Sequence, residues 1–574
     1  MRARRQNCND SRCKGKPFSA VAKPHPTLLA TALQLALGIA TSAHAANFVV
    51  SDVGDSGPGT LRQAVLDANG SSGPHTITFD LTGGSTIGLT SGDIQFTGPD
   101  VTIQGTGQDA LIISGNHSSR IFDVQAGNIT INDLTLRDGL AQGDATNFED
   151  EVGGAIRVGA LPTFRTPAEF SVELARAYRD ARLRRVAFGP RDTHRMSALR
   201  SLQTLSNSTI TGIPAPGLTL DHVSLLDNRA DAPALASGGA VGATGGAMLV
   251  IRNSLFSGNS SSWIGGAIFS LGGNDVYTLP GAGSFDIADT VIIGNHVDQN
   301  GGGPSGGQGA GIIMFGPGGS IRRSTVRDNV INDAPLDLEL SDGIGGGIAL
   351  GVFDGLPIAI TDSEISGNTI ALRPGVYAEG AGLYCKAYYG ATPLTVGNTT
   401  ISGNYSQHGA GIESGCFLQL VNSTVAGNIA PDTTVPGSTG GGDAVEMVYD
   451  VGIFNASSTL IANSDARRDL YLFETDELGT VTKSLIVTPD PSVPPLPVDT
   501  IIGVDPLLSA LANNGGPTRT HALLPGSVAI DAGENVEALV TDQRGSGFAR
   551  MIGAQTDIGA FESDPDRILT NGFE

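Results

Sequence analysis

Short runs of alternating apolar and polar residues recur along the chain, and each run ends in a small polar turn that closes with Asn. Because successive side chains of a strand point to opposite faces, each run predicts a strand with one buried face. Asn tolerates left-handed backbone angles, which suits such a turn. The runs are LTLDHVSLLDN (218–228), LVIRNSLFSGN (249–259), FDIADTVIIGN (285–295), IRRSTVRDN (321–329), IAITDSEISGN (358–368), LTVGNTTISGN (394–404) and LQLVNSTVAGN (418–428).

Glycine-rich strand starts alternate with these runs. Paired Gly permits tight bends and close approach of stacked backbones. A unit this short cannot bury its apolar face alone, so we expect neighbouring units to stack around one long core. The sequence therefore predicts an all-β, right-handed parallel β-helix solenoid, with a β-propeller as the alternative. The glycine motifs are GGAI (153–156 and 265–268), GGAV (238–241), GGAM (245–248), GAGI (309–312 and 409–412), GGGI (345–348) and GAGL (380–383).

The pairing of Gly-Gly-Ala-Ile with Phe256-Ser257-Gly258-Asn259 resembles the repeats of polymorphic outer-membrane proteins. Those repeats belong to the pectin-lyase-like superfamily of right-handed β-helices. The resemblance covers residues 120–465 and implies that fold for the repeats.

Residues 1–45 have the pattern of an export signal. A basic stretch precedes an apolar run from Thr27 to Ala40, and Ala43-His44-Ala45 supplies small residues for a cleavage site. The run is short for a membrane span, although an uncleaved anchor is the alternative. We therefore expect an exported protein, extracellular or on the outer cell surface, with no integral membrane span in the mature chain.

Residues 46–119 are predicted to form an N-terminal cap and the first coils. A capping-box pattern at Thr60 predicts a short helix that ends at Asn69-Gly70. The motif Leu61-Arg62-Gln63-Ala64 resembles the Leu-Arg-Glu-Ala segment near the start of exported β-helix proteins. An uncapped end would expose core and strand edges. The side chains expected to cover that end are Leu61, Val65 and Leu66.

The C-terminal part carries GPT (516–518), PGS (525–527), DAG (531–533), DQRG (542–545) and DIGAFE (557–562). These motifs make residues 501–562 resemble the choice-of-anchor Q module of exported bacterial β-helix proteins, which implies export and surface association. Residues 466–500 are interpreted as a linker or last coil and residues 563–574 as a tail. Four module residues are expected to form a buried polar network that holds irregular backbone: Asp531, Asp542, Arg544 and Asp557.

Residues 160–205 break the repeat pattern with an arginine-rich stretch. Thr166 and Glu169 form a capping box, and Pro167 occupies the first helical position, which predicts an inserted surface helix. A stretch read in the wrong frame is the alternative that the composition leaves open.

Composition narrows the range of partners. The chain has 574 residues, of which 80 are Gly, and a formal net charge of −23. Abundant Gly without a three-residue period indicates many tight turns rather than collagen. The negative charge repels phosphate backbones, so nucleic acid is not an expected partner. A glycan or a surface protein is the expected partner.

Catalytic residues do not emerge from the sequence. Polygalacturonase-type hydrolases of the superfamily carry adjacent Asp residues, and this sequence contains no Asp-Asp pair. Glycoside hydrolysis generally requires two facing carboxyl groups, and the pattern shows no coil face with two or more acids near a basic residue. We therefore predict a non-catalytic scaffold for adhesion, matrix or glycan and protein recognition. A polysaccharide lyase or glycoside hydrolase is the alternative.

Two groups of residues are candidates for binding. Tyrosines concentrate near one repeat, where aromatic faces with hydrogen-bonding tips suit sugar rings or protein contacts. An acidic loop offers oxygen ligands for Ca²⁺, although its spacing matches no ordered calcium motif, and no other cofactor is expected. The candidate ligand-binding residues are Tyr377, Tyr384, Lys386, Tyr388, Tyr389, Tyr405 and His408, and the candidate calcium ligands are Asp333, Asp337, Glu339 and Asp342.

Cys385 and Cys416 follow equivalent glycine motifs about one repeat apart. Strands of neighbouring coils lie about 4.7–4.9 Å apart, which is within the Cα separation that a disulfide needs. An exported protein also reaches an oxidising compartment. We predict a disulfide between neighbouring coils, with two buried free thiols as the alternative.

Overall fold

The computed structural model describes residues 45–143, 148–159, 215–232, 236–272, 284–298, 307–316, 318–332, 343–352, 356–372, 378–387, 392–431, 443–448, 452–462, 464–466, 468–473 and 476–564.

The chain is an all-β parallel β-helix, as the repeats predicted. A complete coil passes through four strands, and each strand pairs in parallel with its counterpart in the next coil. We number the strands in chain order and call the four positions ladders 1 to 4. Ladder 1 contains β1 (Asn47–Val50), β2 (His75–Phe79), β5 (Val101–Gln104), β8 (Asn128–Arg137), β11 (Gly217–Leu226), β14 (Met248–Arg252), β18 (Phe285–Ala288), β22 (Gly319–Arg322), β27 (Ile358–Thr361), β32 (Pro393–Gly397), β35 (Phe417–Val421), β39 (Ile453–Ser457) and β43 (Glu477–Thr482).

Ladder 2 follows ladder 1 across a tight corner, and the long strands β8 and β11 run through both. Its other members are β3 (Ser85–Gly88), β6 (Leu111–Ser114), β15 (Leu255–Ser257), β19 (Val291–Ile293), β23 (Thr325–Arg327), β28 (Glu364–Ser366), β33 (Thr400–Ser402), β36 (Thr424–Ala426), β40 (Leu460–Ala462), β44 (Leu485–Ile486) and β45 (Ile501–Ile502).

Ladder 3 is built from very short strands. They are β9 (Leu140–Gln142), β12 (Arg229–Asp231), β16 (Ser260–Ser261), β20 (His296–Val297), β24 (Val330–Ile331), β29 (Thr369–Ile370), β37 (Ile429–Ala430) and β41 (Asp465–Ala466). One further pair, β25 (Gly343–Ile344) and β30 (Ala378–Glu379), lies at the corner that leads into ladder 4.

Ladder 4 completes each coil and follows the glycine motifs. Its members are β4 (Ile94–Phe96), β7 (Phe122–Val124), β10 (Ile156–Val158), β13 (Val241–Ala243), β17 (Ile268–Leu271), β21 (Ile312–Gly316), β26 (Ile348–Val352), β31 (Leu383–Ala387), β34 (Ile412–Ser414), β38 (Asp443–Met447) and β42 (Arg468–Leu472).

The predicted alternation is seen directly in the strands. In β14 and β27 every second side chain is buried, and the inward residues of ladders 1, 2 and 4 join one continuous apolar core. Because each coil supplies only a few apolar side chains, the core exists only through stacking.

Asparagine side chains form a buried stack at the corner between ladders 2 and 3. In the first six of the seven, the side-chain amide donates to the side-chain oxygen of the Asn in the next coil at 2.9–3.0 Å. Backbone N–H groups of the same residues donate to those oxygens, so amide groups enclosed at the corner keep their hydrogen bonds. The stacked residues are Asn228, Asn259, Asn295, Asn329, Asn368, Asn404 and Asn428.

The left-handed backbone angle expected for these Asn residues was wrong, although their side chains do bond to neighbouring backbone carbonyls. None of the seven has a positive φ; the left-handed residue is the one before it, such as Gly258 at 67° or Asp328 at 56°. The preceding residue makes the turn, and the Asn is selected because its amide can both donate and accept between coils.

The coils stack across the arginine-rich stretch without interruption. β8 pairs with β11, and β10 pairs with β13, although residues 160–214 separate the two coils in sequence. That stretch is therefore inserted between two adjacent coils. The helix predicted for it lies outside the described residues.

A single described α-helix, α1 (Leu61–Asn69), covers the first coils. Thr60 accepts a hydrogen bond from the Gln63 backbone N–H at 3.3 Å, as its capping role predicted. The helix ends at Asn69 with Gly70 as its C-cap, as predicted, but Leu66, which was expected to cover the core, is exposed. The helix side chains that join the core are Leu61, Ala64, Val65 and Ala68.

The segment after β45 is irregular and runs back along the outside of ladder 2. Arg519 binds Glu364 through its backbone N–H at 2.8 Å and its guanidinium at 2.5 and 2.8 Å. Further along, the Ala560 N–H donates to the Thr424 hydroxyl at 2.9 Å. The segment thus covers successive coils. Its apolar contact with the solenoid includes Leu460, Ala462, Leu485, Leu523, Ala529 and Ile558.

Three of the four residues predicted to form a buried polar network, Asp542, Arg544 and Asp557, are buried in this segment, whereas Asp531 is exposed and reaches Asp557 only through its backbone N–H. Arg544 donates to Asp542 and to the Glu562 carbonyl, and its guanidinium lies 4.1 Å from the Phe548 ring centroid and 3.8 Å from that of Phe561. The carboxylates of Asp557 and Glu562 accept backbone N–H groups. These contacts hold backbone that no ladder supports.

Among the described residues, no helix has the length and apolar character needed to cross a membrane.

Candidate functional site

The fold separates the predicted tyrosine group. Tyr384 and Lys386 lie on β31. His408 pairs with Glu379 at the corner into ladder 4, and Tyr405 extends ladder 3 between β29 and β37. Tyr384, Lys386 and His408 are buried, so the four described members do not form one exposed aromatic surface. The other members, Tyr377, Tyr388 and Tyr389, lie outside the described residues.

The candidate calcium ligands cannot be placed. All four, Asp333, Asp337, Glu339 and Asp342, lie outside the described residues, so a calcium site in that loop stays a prediction.

One outward row of ladder 4 is apolar in the middle coils. Phe269, Ile313 and Ala349 occupy equivalent positions and pack with Trp263 from the adjoining corner. Phe269 is 0% exposed, so water is excluded from this outer face as fully as from the core.

The same row becomes polar in the last coils. The register places Tyr384, Glu413, Glu446 and Tyr471 on successive strands. Glu413 is 0% exposed and Glu446 is 2% exposed. Because neighbouring strands lie about 4.8 Å apart, two carboxylates are stacked directly in a buried position.

His408 reaches this row from the corner. Its Nδ1 atom lies 3.2 Å from Oε2 of Glu446, and both side chains are almost fully enclosed. Asp443, at the start of β38, completes a group in which one ligand atom from each of the three residues lies within 4.8 Å of the others.

Arg468 holds the other side of Asp443. Its Nε and Nη2 atoms donate to the two oxygens of Asp443 at 2.5 and 2.9 Å, and its Nη1 donates to Asp490 at 2.6 Å. The guanidinium carbon lies 4.1 Å from the ring centroid of Tyr471. A planar fork of this kind fixes the orientation of the carboxylate.

Burial governs the electrostatics of this cluster. Desolvation, and then the negative charge of Glu446, raise the pKa of Asp443 to about 7, although Arg468 and His408 act in the opposite direction. Burial and the charge of Glu446 also raise the pKa of Tyr471. The pKa shift of Asp443 shows that a further negative charge is costly at this place.

These residues overturn one conclusion from the sequence. A coil face does stack two acids near basic residues, because Glu413 and Glu446 lie beside the His408 and Arg468 groups. Such a set can transfer protons or ligate a cation. Its burial keeps a polymer away from the carboxylates in this conformation.

A signal for the missed residues exists in the glycine motifs. Tyr384 and Glu413 occupy the second position of their ladder 4 strands, and Glu446, the fourth residue of β38, pairs with Glu413. Aligning GAGL (380–383), GAGI (409–412) and GDAV (442–445) column by column places the three residues that follow in one row. Arg468 follows no glycine motif, so only the fold reveals it.

A disulfide bond joins Cys385 and Cys416 on the inner side of ladder 4, as the sequence predicted. Their Cα atoms are 5.9 Å apart. Cys385 pairs with Ser414 rather than with Cys416. The offset of two residues is accommodated by the bend that follows β34, where the Gly415 N–H donates to the Cys385 carbonyl.

Ladder 1 offers the opposite kind of surface. Its outward row is only partly shielded from water, and the side chains are mostly short and polar. In consecutive order, the residues are Thr76, Thr102, Thr130, Thr219, Val250, Asp286, Ser320, Ala359, Thr395, Gln419 and Asn455.

No protein-family model and no curated protein matches the sequence. Among solved structures, the chain is similar to pectate lyase Pel9A, with 12% identity, a TM-score of 0.32, and coverage of 92% of this chain and 98% of that chain. It is also similar to the A-module of the mannuronan C-5 epimerase AlgE4 of Azotobacter vinelandii, with 12% identity, a TM-score of 0.29, and coverage of 76% and 95%. Likenesses at this level say nothing about what the chain binds or catalyses.

Proposed function

We propose that this chain is a non-catalytic recognition scaffold that binds a neutral glycan along the outward row of ladder 1. The observation that carries the proposal is this row itself: mainly hydroxyl and amide side chains, partly exposed to solvent, at one equivalent position of successive coils. A flat face of short polar side chains suits a long ligand rather than a small one.

Periodicity supports a polymer as the ligand. In the coils of Thr76, Thr102, Thr130 and Thr219, and again in those of Thr395, Gln419 and Asn455, each coil presents its polar group about 4.8 Å from the next, so hydrogen-bonding groups recur at a fixed interval. A glycan also presents hydroxyl groups at fixed intervals, and weak contacts repeated along a chain add through effective concentration. The net charge of −23 disfavours an anionic polysaccharide.

Other faces are less suited to recognition. The C-terminal segment covers ladder 2 from Glu364 to Leu460, and the carboxylates of ladder 4 are buried. Ladder 1 therefore has the longest open row in the described part of the solenoid.

Export and surface association belong to this proposal. They rest on the basic and apolar pattern of residues 1–45 and on the resemblances of the repeats and of residues 501–562. A protein outside the cell would meet glycans directly.

The proposal is tested by blocking the row. Replacing Thr219 and Ser320 together by Trp places two bulky side chains on it, whereas Val291→Trp places one on the exposed part of ladder 2. In affinity electrophoresis with a panel of neutral polysaccharides, we expect about tenfold weaker binding for the double variant, a change of about 1.4 kcal/mol. We expect no change for Val291→Trp. Binding that survives the double variant, or binding to a protein but to no glycan, would contradict the proposal.

A glycan-cleaving enzyme is the second candidate, because Glu413 and Glu446 stack near His408 and Arg468. Assays for new reducing ends and for unsaturated products, with calcium present, separate the two functions. Turnover that Glu446→Gln abolishes would establish the enzyme and overturn the scaffold.

A further inference from the structure

His408, Asp443 and Glu446 bring an imidazole and two carboxylates together in the interior of the last coils. They come from separate places: His408 from the corner before ladder 4, and Asp443 and Glu446 from β38 in the next coil. One nitrogen or oxygen atom from each lies within 4.8 Å of the others. We propose that these three residues bind one divalent transition-metal ion, Zn²⁺ or Mn²⁺, that ties the two coils together.

The spacing matches a coordination sphere. Zinc bonds to imidazole nitrogen and carboxylate oxygen at about 2.0–2.2 Å, so two ligand atoms of a tetrahedral site lie about 3.3 Å apart. Nδ1 of His408 and Oε2 of Glu446 are 3.2 Å apart. The other two separations among the three ligand atoms are at most 4.8 Å, and a small contraction would bring all three atoms to the tetrahedral spacing.

The donor set selects the class of metal. Imidazole nitrogen favours borderline cations over Ca²⁺ and Mg²⁺, whereas carboxylates accept Zn²⁺ and Mn²⁺ readily. The two ionised carboxylates carry a charge of −2 in total, which a dication neutralises. A calcium site would instead offer six to eight oxygen atoms.

The surroundings fit a structural ion rather than an exchangeable one. All three ligands are at most 2% exposed. Arg468 orients Asp443 through both carboxylate oxygens, and each oxygen retains a lone pair for a metal. Glu413 lies next to Glu446 in the row and would be drawn toward the same cation.

The experiment measures the metal content of the exported chain after exhaustive dialysis. Protein is produced in medium supplemented with Zn²⁺ or with Mn²⁺, and inductively coupled plasma mass spectrometry gives metal per chain. We expect about one ion per chain in the wild type. Glu446→Gln and His408→Gln should each lower the content about tenfold or more, since even supporting residues of metal sites change affinity by that factor.

Glu364→Gln is the matched control, because Glu364 is an equally buried carboxylate that binds Arg519 far from the cluster. It should keep the full metal content. A wild type without bound metal, or a Glu446→Gln protein that holds as much metal as the wild type, would overturn the site. Retention of calcium or magnesium alone would overturn the choice of metal. The metal content of the wild type tests the proposed site by itself, so the experiment remains informative even where a variant does not fold.

Discussion

The outward rows of ladders 1 and 4 are built by the same rule and have opposite properties. Each contributes one side chain per coil at an equivalent strand position. On ladder 1 this row stays partly open to water and carries mainly Thr, Ser, Gln and Asn, whereas on ladder 4 it is mostly buried and carries apolar residues in the middle coils and titratable residues in the last ones. Alternation thus determines which side chains point outward, and neighbouring segments determine whether those side chains meet water.

The largest expected contrast concerns apolar truncation in the two rows. Phe269→Ala on ladder 4 leaves a cavity beside Trp263 and should lower the free energy of unfolding by about 3–5 kcal/mol. Val250→Ala at the corresponding position of ladder 1 should change it by only about 0.5 kcal/mol. Urea unfolding followed by circular dichroism gives both values. Equal losses would show that ladder 1 is covered too.

The disulfide should stabilise ladder 4 by a slightly smaller amount. It closes a loop of 31 residues, and replacing both Cys385 and Cys416 by Ala should cost about 3–4 kcal/mol in the chain-entropy model. Alkylation of the denatured, unreduced protein checks the bond itself. Two alkylated thiols in that sample would mean that the cysteines are free.

Lowering the pH should change the stabilising contributions of two carboxyl groups, one on each ladder, in opposite directions. Burial raises the pKa of Asp469 on β42 to about 6, despite a hydrogen bond from the Thr488 N–H at 2.9 Å. A carboxyl group with a raised folded-state pKa stabilises the fold most at low pH, and this contribution is lost as the pH rises from about 4 to 6. We expect a loss of about 2 kcal/mol over that range, and Asp469→Asn should remove this part of the pH dependence.

Asp286 on ladder 1 provides the matched case. Burial alone would raise the pKa of Asp286, but hydrogen bonds from Ser320, Arg322 and Arg252 outweigh it and lower the pKa. Its stabilising contribution is therefore present near neutral pH and is lost as the pH falls through the lowered value. Asp286→Asn should weaken the decline in stability at acidic pH, measured by thermal unfolding between pH 2 and 7. A pH response of the same sign in both variants would contradict the assignment.

The smallest change in stability is expected from breaking an exposed ion pair at the corner of ladder 1. Arg323 pairs with Asp289 at 2.6 Å, and both side chains are about two-fifths exposed, at 42% and 37%. Exposed ion pairs contribute about 0–1 kcal/mol. Arg323→Ala should therefore shift the unfolding midpoint hardly at all, and the shift should shrink further in high salt. A large loss would indicate that this corner is packed against another part of the chain.

The repeat pattern was sufficient to predict the architecture. Alternation in runs such as 249–259 and the glycine motifs led to a parallel β-helix, and the Thr60 cap led to α1. Repetition makes such inference reliable, because the same local signal occurs in every coil.

Contacts made only once were not predictable in this way. Glu364 and Arg519 are 155 residues apart, and no local pattern announces their pairing. His408 was noticed for its aromatic neighbours, yet its partner Glu446 lies in the next coil, 38 residues later. The Asn stack was recognised as a repeat, but its chemistry depends on a neighbour that exists only after stacking.

The measurement that tests the central claim most directly is the length of a glycan recovered from its complex with this protein. A neutral polysaccharide that binds the wild type is incubated, released by denaturation and sized by light scattering, with the Thr219 and Ser320 double Trp variant in parallel. The account predicts retention by the wild type, weaker retention by the variant and an unchanged chain length in both. Shortened chains after incubation with the wild type would contradict a non-catalytic scaffold.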